Sequence, residues 1–235
     1  MSERHFEEGV FYHIYNRGTE GRDIFSDDGD YLRFIHYLYV LNDLNQQSNV
    51  PQNIDGGLSN YENGNKARRD LLVDICAYVL MPNHYHLLLH ERRKGGISKF
   101  IHKLSTGHTM YFNSKNDRNG VLFQGRFKAK AILDQSYLDY LTYYIHANPL
   151  ALFEKKESIN ILDQLEGYRW SSYPDYIGKD NFPSVIDTKP LKSFIDFGTE
   201  YKNFFENLAS EQGRVGGREL SLPNDLAIDA KDLKL

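Results

Sequence analysis

The sequence predicts an α+β fold in which one antiparallel sheet has helices on one face. Segments with strand character alternate with segments of helical period in the order β-α-β-β-α-β. This order is typical of the split β-α-β, or ferredoxin-like, sheet. The chain has 235 residues, of which 40% are hydrophobic, so a sizeable core is expected.

Each predicted element has its own local signal. Aromatic and β-branched residues indicate the first strand, and Ser26-Asp27-Asp28 offers caps to the helix that follows it. A long apolar run indicates a central strand, which turns at Pro82-Asn83 into its neighbour. The predicted strands cover residues 10–16, 71–80, 84–90 and 127–133, and the helix between the last two covers residues 97–112.

An extra helix over residues 135–147 follows the last strand and ends before Asn148-Pro149. We therefore divide the chain into a main domain, residues 1–150, and a C-terminal extension, residues 151–235. The main domain contains a polar loop insertion over residues 42–69, where no apolar period is present. The extension is predicted to be partly helical, over residues 190–208, and to end in a loosely ordered tail.

Composition indicates where the protein works. The single cysteine, Cys76, argues against a disulfide framework, and no apolar stretch reaches the ~20 residues that a membrane helix needs. The N-terminus lacks the apolar region of a secretory signal. We expect a soluble, cytoplasmic protein with no membrane partner.

The net charge of −4 hides a basic segment. Residues 92–130 contain ten lysines and arginines and one acidic residue, Asp117. Such a segment is suited to nucleic-acid phosphates, because counterion release depends on the local contact surface. The alternative is a solvated helix face followed by a charged loop.

His84 and His86 are the first candidates for chemistry. They lie two residues apart in a predicted strand, so both side chains project from one face, while Tyr85 projects from the other. Imidazole is the commonest metal ligand, and two imidazoles so placed could share one ion. The alternative is a pair of histidines on a solvated strand face.

Tyr144 and Asn148 lie four residues apart, one turn from each other on the same helical face. Two histidines and an amide oxygen leave coordination positions open, which suits Mg²⁺ or Mn²⁺ acting on a phosphodiester. A tyrosine phenol, with a free pKa of about 10, becomes a nucleophile beside such an ion. The chain has 17 tyrosines, and by spacing Tyr140 is nearly as good a candidate. Only the partner Asn148 favours Tyr144.

Five segments over roughly residues 10–175 are distinctive when taken together. They are Tyr12-His13-Ile14-Tyr15-Asn16-Arg17-Gly18, Met81-Pro82-Asn83-His84-Tyr85-His86-Leu87-Leu88-Leu89, Gly125-Arg126-Phe127-Lys128, Tyr144-Ile145-His146-Ala147-Asn148-Pro149 and Trp170-Ser171-Ser172-Tyr173. In sequence and in order, these segments resemble those of the single-tyrosine transposases with the HUH signature (His, bulky hydrophobic residue, His), in their REP-associated branch.

The resemblance implies a nucleophile at Tyr144 and a metal held by His84, His86 and Asn148. It also implies action on single-stranded DNA with hairpins, through a 5′-phosphotyrosine intermediate that leaves a free 3′-hydroxyl. Two residues depart from the family pattern: Tyr85 replaces an aliphatic residue in the signature, and Tyr143 replaces the arginine usual before the nucleophile.

The leading hypothesis is therefore a metal-dependent transposase that nicks and rejoins single-stranded DNA, as a monomer or a homodimer. One alternative is a non-catalytic protein that binds single-stranded nucleic-acid hairpins on the same fold. Another is a metallohydrolase of small phosphoesters in which Tyr144 is idle. The residues expected to contact DNA are Arg126, Lys128, Lys130, Lys103 and Arg17.

Overall fold

The computed structural model describes residues 5–44, 69–153 and 161–214. Its four strands form one antiparallel sheet in the order β2-β3-β1-β4. This is the ferredoxin-like arrangement, and it confirms the fold class predicted from the order of the elements. The strands are β1 (Phe11–Arg17), β2 (Val73–Met81), β3 (His84–Glu91) and β4 (Lys128–Ile132).

Helices α1 (Asp28–Val40) and α2 (Gly96–Lys115) cover one face of the sheet. The ring of Tyr85 on β3 lies 5.3 Å from Phe34 of α1, which in turn contacts His108 of α2 at 5.0 Å. The third helix, α3 (Gln135–Ala147), lies on the opposite face, against side chains that alternate with Tyr85 along β3.

Both α1 and α3 begin at an aspartate that caps their free amides. The carboxylate of Asp27 accepts a hydrogen bond from the Asp30 amide, and that of Asp134 accepts one from the Tyr137 amide. The predicted bounds of α3 therefore agree with those observed.

The register of the sheet decides which side chains become neighbours. Tyr15 on β1 lies opposite His86 on β3, and Arg17 lies opposite His84. On the other side of β1, Lys128 and Lys130 of β4 lie opposite Tyr15 and His13. Directly opposite residues project from the same face, so these seven side chains share the face that α3 covers.

The two ends of the predicted loop insertion, residues 42–69, are held together at the end of β2. The side-chain amide of Asn42 donates to the Val73 carbonyl at 2.9 Å and accepts from the Val73 amide at 3.0 Å. The Arg69 guanidinium pairs with Asp43 at 3.8 Å. Residues 45–68 lie outside the described residues, so the conformation predicted for most of the insertion stays a prediction.

The C-terminal extension packs against the outer edge of β2. The Leu80 amide donates to the Trp170 carbonyl at 2.9 Å, and the Ser172 amide donates to the Tyr78 carbonyl at 3.0 Å. Hydrophobic residues of both parts of the chain belong to one continuous core. The extension contains the helices α4 (Ile161–Gly167), α5 (Tyr173–Tyr176) and α6 (Thr199–Arg214).

The predicted start of the last helix, at residue 190, is wrong. A short 3-10 turn occupies Lys189–Leu191, and Gly198, with a φ of +79°, breaks the chain before α6 begins at Thr199. Phe194 and Phe197 fit the helical spacing but lie before this break. The predicted tail falls mainly on residues 215–235, outside the described residues, and the domain boundary at 150 stays a prediction.

Cys76 is a buried free thiol, as its place in an apolar strand predicts. Among the residues that the structure describes, no helix is both long and apolar enough to cross a membrane.

Candidate active site

His84 and His86 lie side by side under α3 and are withdrawn from solvent. Their side chains project from the same face of β3, and the residues are 4% and 0% exposed. The two rings are perpendicular, with centres 5.2 Å apart. The alternative of two histidines on a solvated strand face is therefore wrong, because α3 covers this part of the sheet.

Each of these imidazoles is held at Nδ1. The Nδ1 atom of His84 lies 2.6 Å from the side-chain oxygen of Asn83, whose amide nitrogen donates to the Gly21 carbonyl. The Nδ1 atom of His86 lies 2.8 Å from Nε2 of His13, on the neighbouring strand β1. Such contacts at Nδ1 orient both rings, and the Nε2 atom of His86 has no hydrogen-bond partner among the described residues.

Burial keeps both histidines neutral. It lowers the pKa of His84 to about 4; a hydrogen bond with Asn148 acts in the opposite direction, and the charge of Arg17 lowers the value further. Burial also lowers the pKa of His86 well below its usual range, with smaller effects from His13 and His84. Neutral imidazoles carry the lone pair that a metal requires.

Helix α3 carries four tyrosines, and among the described residues the ring of Tyr144 contacts the histidine cluster. Its ring centre lies 5.5 Å from that of His86 and 6.0 Å from that of His13, nearly perpendicular to both. Tyr143 instead stacks on α6, with its ring centre 3.8 Å from that of Phe204. Burial raises the pKa of Tyr140 to about 12, which makes its phenol harder to ionise.

Asn148 connects the end of α3 with His84. Its side-chain amide donates to the Tyr144 carbonyl at 2.7 Å, and its side chain also hydrogen-bonds His84. The fold thus brings together the four residues predicted for catalysis and metal binding: Tyr144, Asn148, His84 and His86.

The donor set fits a divalent cation with open coordination positions. The Nε2 atom of His86 is buried and has no hydrogen-bond partner among the described residues, so it can serve as a ligand. Within the described ranges, no group of three His, Cys, Asp or Glu side chains could hold a metal. The third protein ligand would therefore be the amide oxygen of Asn148, with phosphate and water oxygens completing the shell.

Basic side chains border this face. Lys128 and Lys130 are exposed on the same face of the sheet as the histidines. The Lys128 ammonium lies 5.9 Å from the ring centre of Tyr15, and the Lys130 ammonium lies 4.4 Å from that of Tyr137. Arg17 lies opposite His84 and donates to the side chain of Gln124. Arg126 is exposed just before β4.

Lys103, also predicted to contact DNA, lies elsewhere. It belongs to α2, on the other face of the sheet, and its ammonium donates to the carbonyls of Leu41 and Asp43 at 3.4 and 3.2 Å. Other members of the basic segment pair with acidic residues: Arg92 with Asp74, and Lys115 with Asp27 and Asp30. The segment is therefore divided between fold-stabilising contacts and the basic border of the site.

Sequence reasoning missed two residues of this cluster, His13 and Tyr15. The Tyr15 ring stacks on His86 at 5.6 Å, and His13 holds the same ring at Nδ1. They alternate along β1 with the same period of two that identifies His84 and His86 on β3. That period is the signal that could have found them, but only the register places them beside His86.

Fold and site together define a ferredoxin-like α+β protein whose sheet carries buried histidines beneath a helix with a tyrosine and an asparagine. The family model "Transposase IS200 like" matches residues 61–148, a segment that contains β2, β3, α2, β4 and α3. Over these residues the chain is similar to the IS200-like transposases. No curated protein matches the sequence.

The solved structures that are similar to the chain include two transposases. A REP-associated tyrosine transposase bound to a REP hairpin has 14% sequence identity and a TM-score of 0.47, and the match covers 84% of this chain and 99% of that one. A candidate transposase from Deinococcus radiodurans R1 also has 14% identity, with a TM-score of 0.33, over 61% of this chain and 95% of that one.

Proposed function

We propose that the protein nicks and rejoins single-stranded DNA by a metal-dependent reaction in which Tyr144 is the nucleophile. The observation that carries the proposal is the position of the Tyr144 ring, which lies over His86 while Asn148, one turn later, bonds His84. A phenol and a set of metal ligands are thereby close to each other on one face of the sheet.

Three side chains would hold the cation: His84 and His86 through Nε2, and Asn148 through its amide oxygen. When bound, Mg²⁺ or Mn²⁺ would polarise the scissile phosphate and offset the charge that develops on it. The neutral state of both histidines favours this binding at neutral pH.

In the nicking step, the oxygen of Tyr144 forms a bond with phosphorus as the bond from phosphorus to the 3′-oxygen breaks. The phenol loses its proton, and the released 3′-oxygen gains one. The products are a 5′-phosphotyrosine and a free 3′-hydroxyl. Rejoining is the reverse reaction, in which a 3′-hydroxyl attacks the phosphotyrosine and the phenol is regenerated.

The DNA would lie along the border formed by β1 and β4. Lys128, Lys130, Arg17 and Arg126 would contact its phosphates, which orient the strand without reading its sequence. The resemblance of the motifs to the REP-associated branch favours a hairpin-bearing substrate.

A covalent-adduct assay tests the proposal. The full chain is incubated with labelled, hairpin-bearing single-stranded DNA and Mn²⁺, and the adduct is resolved on a denaturing gel and mapped by peptide analysis. We expect an adduct on Tyr144 that Tyr144→Phe abolishes while hairpin binding stays within about twofold. Tyr140→Phe, on the same helix, is the matched control and should still form the adduct.

The same assay separates the alternatives. If Tyr144→Phe forms the covalent adduct in undiminished yield, Tyr144 is not the nucleophile. Hairpin binding without metal-dependent cleavage would favour a non-catalytic binder. Hydrolysis of small phosphoesters without any adduct would favour a metallohydrolase.

A further inference from the structure

We propose that His13 is a positioning residue for the metal site: it accepts a hydrogen bond from His86 and thereby presents Nε2 of His86 to the cation. This inference rests on the proposed function. The atoms concerned are Nε2 of His13 and Nδ1 of His86, which are 2.8 Å apart.

The geometry of the two rings is that of an in-plane hydrogen bond. Their planes differ by 20° and their centres are 5.0 Å apart. With the two nitrogens 2.8 Å apart, both lie close to the line that joins the ring centres. The rings therefore meet edge to edge, which is the arrangement in which N–H of one imidazole points at the lone pair of the other.

Metal binding determines the direction of this bond. A neutral imidazole has one N–H, so a ring that binds a cation through Nε2 must carry its proton on Nδ1. The Nδ1–H group of His86 would then donate to Nε2 of His13, which needs its own proton on Nδ1. In that state His13 stabilises the tautomer of His86 in which the buried Nε2 atom is free to bind.

The second histidine has an equivalent support. Nδ1 of His84 donates to the side-chain oxygen of Asn83 at 2.6 Å, and that amide is oriented by its bond to the Gly21 carbonyl at 3.3 Å. Both candidate ligands are therefore held at Nδ1 by an acceptor outside the ligand set. For His84 the acceptor is adjacent in sequence, whereas for His86 it comes from a different strand.

A matched pair of substitutions isolates the acceptor. Gln and Met have similar length and volume, and only Gln offers an oxygen that can accept from His86. His13→Met should weaken Mn²⁺ binding roughly 10- to 100-fold, the usual effect of losing such a partner of a ligand. His13→Gln should stay within a few-fold of the wild type.

The full chain is titrated with Mn²⁺ in the absence of DNA, and binding is monitored by electron paramagnetic resonance. The measured affinity therefore does not depend on activity. His84→Ala is the ligand control and His108→Gln, which removes a buried imidazole on the other face of the sheet, is the packing control. Thermal unfolding of each variant verifies that it folds.

Wild-type affinity in His13→Met overturns the inference, and so does equal weakening in the Gln and Met variants, which would indicate packing. If the wild type itself binds no Mn²⁺ and His84→Ala does not differ from it, the proposed metal site fails instead. The two failures are therefore distinguishable.

Discussion

Tyr143 stacks on Phe204, with ring centres 3.8 Å apart and planes inclined by 22°. Tyr143 thus joins the helix of Tyr144 to α6 of the C-terminal extension. A buried polar contact supports the same junction, because Nδ1 of His146 lies 2.7 Å from the Tyr201 hydroxyl and its Nε2 lies 2.7 Å from the Ser172 hydroxyl. The extension therefore holds α3 against the sheet.

This junction predicts that Tyr201→Phe destabilises the protein. The substitution leaves Nδ1 of the buried His146 without its partner, which costs about 1–3 kcal/mol of unfolding free energy. Urea denaturation of both proteins measures the difference. The phenol of Tyr140 makes no hydrogen bond within the described residues. Tyr140→Phe should therefore change the free energy of unfolding by less than about 0.5 kcal/mol. Equal effects of the two substitutions would argue against a role for the contact.

Asn148 is predicted to have two separable roles. Asn148→Ala should weaken Mn²⁺ binding, because it removes the proposed oxygen ligand. Asn148→Asp should retain that binding but lower the unfolding free energy by about 1 kcal/mol, since a carboxylate replaces the donor to the Tyr144 carbonyl at the negative end of α3. Mn²⁺ titration and urea denaturation measure the two effects. An Ala variant with unchanged affinity would remove Asn148 from the ligand set.

Salt dependence of hairpin binding tests the basic border. Replacing Lys128 or Lys130 by Ala should weaken binding and reduce the slope of log affinity against log salt by about 0.7 each, the value for one phosphate contact on a single strand. Lys103→Ala should leave the slope unchanged, because its ammonium is bound to backbone carbonyls on the other face. A change of slope in Lys103→Ala would restore it as a DNA contact.

The buried imidazole of His108 makes stability depend on pH. Burial lowers its pKa from 6.5 to about 4, and the bond to the Ile24 carbonyl opposes this only in part. Below pH 6.5 the unfolded chain therefore takes up a proton here before the folded one does. Stability falls by up to about 1.4 kcal/mol per pH unit between about pH 6.5 and pH 4, and this site adds no further loss below that.

Urea denaturation as a function of pH checks this prediction. His108→Gln should be less stable than the wild type at pH 7 but should lose less stability on acidification. His102→Gln removes an exposed imidazole from the same helix and should leave the dependence unchanged. An identical pH dependence in wild type and His108→Gln would contradict the assignment.

Local sequence patterns were sufficient to predict much of the structure of this protein. The order in which strand and helix periods follow one another along the chain predicts the ferredoxin-like sheet. A spacing of four residues places Tyr144 and Asn148 on one helical face. Both predictions succeed because strand and helix geometry act over a few residues. The start of α6 was missed because aromatic residues on both sides of Gly198 continue the helical spacing.

The sequence by itself thus determined the elements and two halves of the candidate site, the histidine pair and the tyrosine–asparagine pair. Only the tertiary structure decided that the halves meet and that His13 supports His86. It also decided that the ring of Tyr144, rather than that of Tyr140, lies against His86. Finally, it placed Lys103 on the other face of the sheet. The reason is physical: strand register and helix docking depend on contacts between residues far apart in the chain, and no local period encodes them.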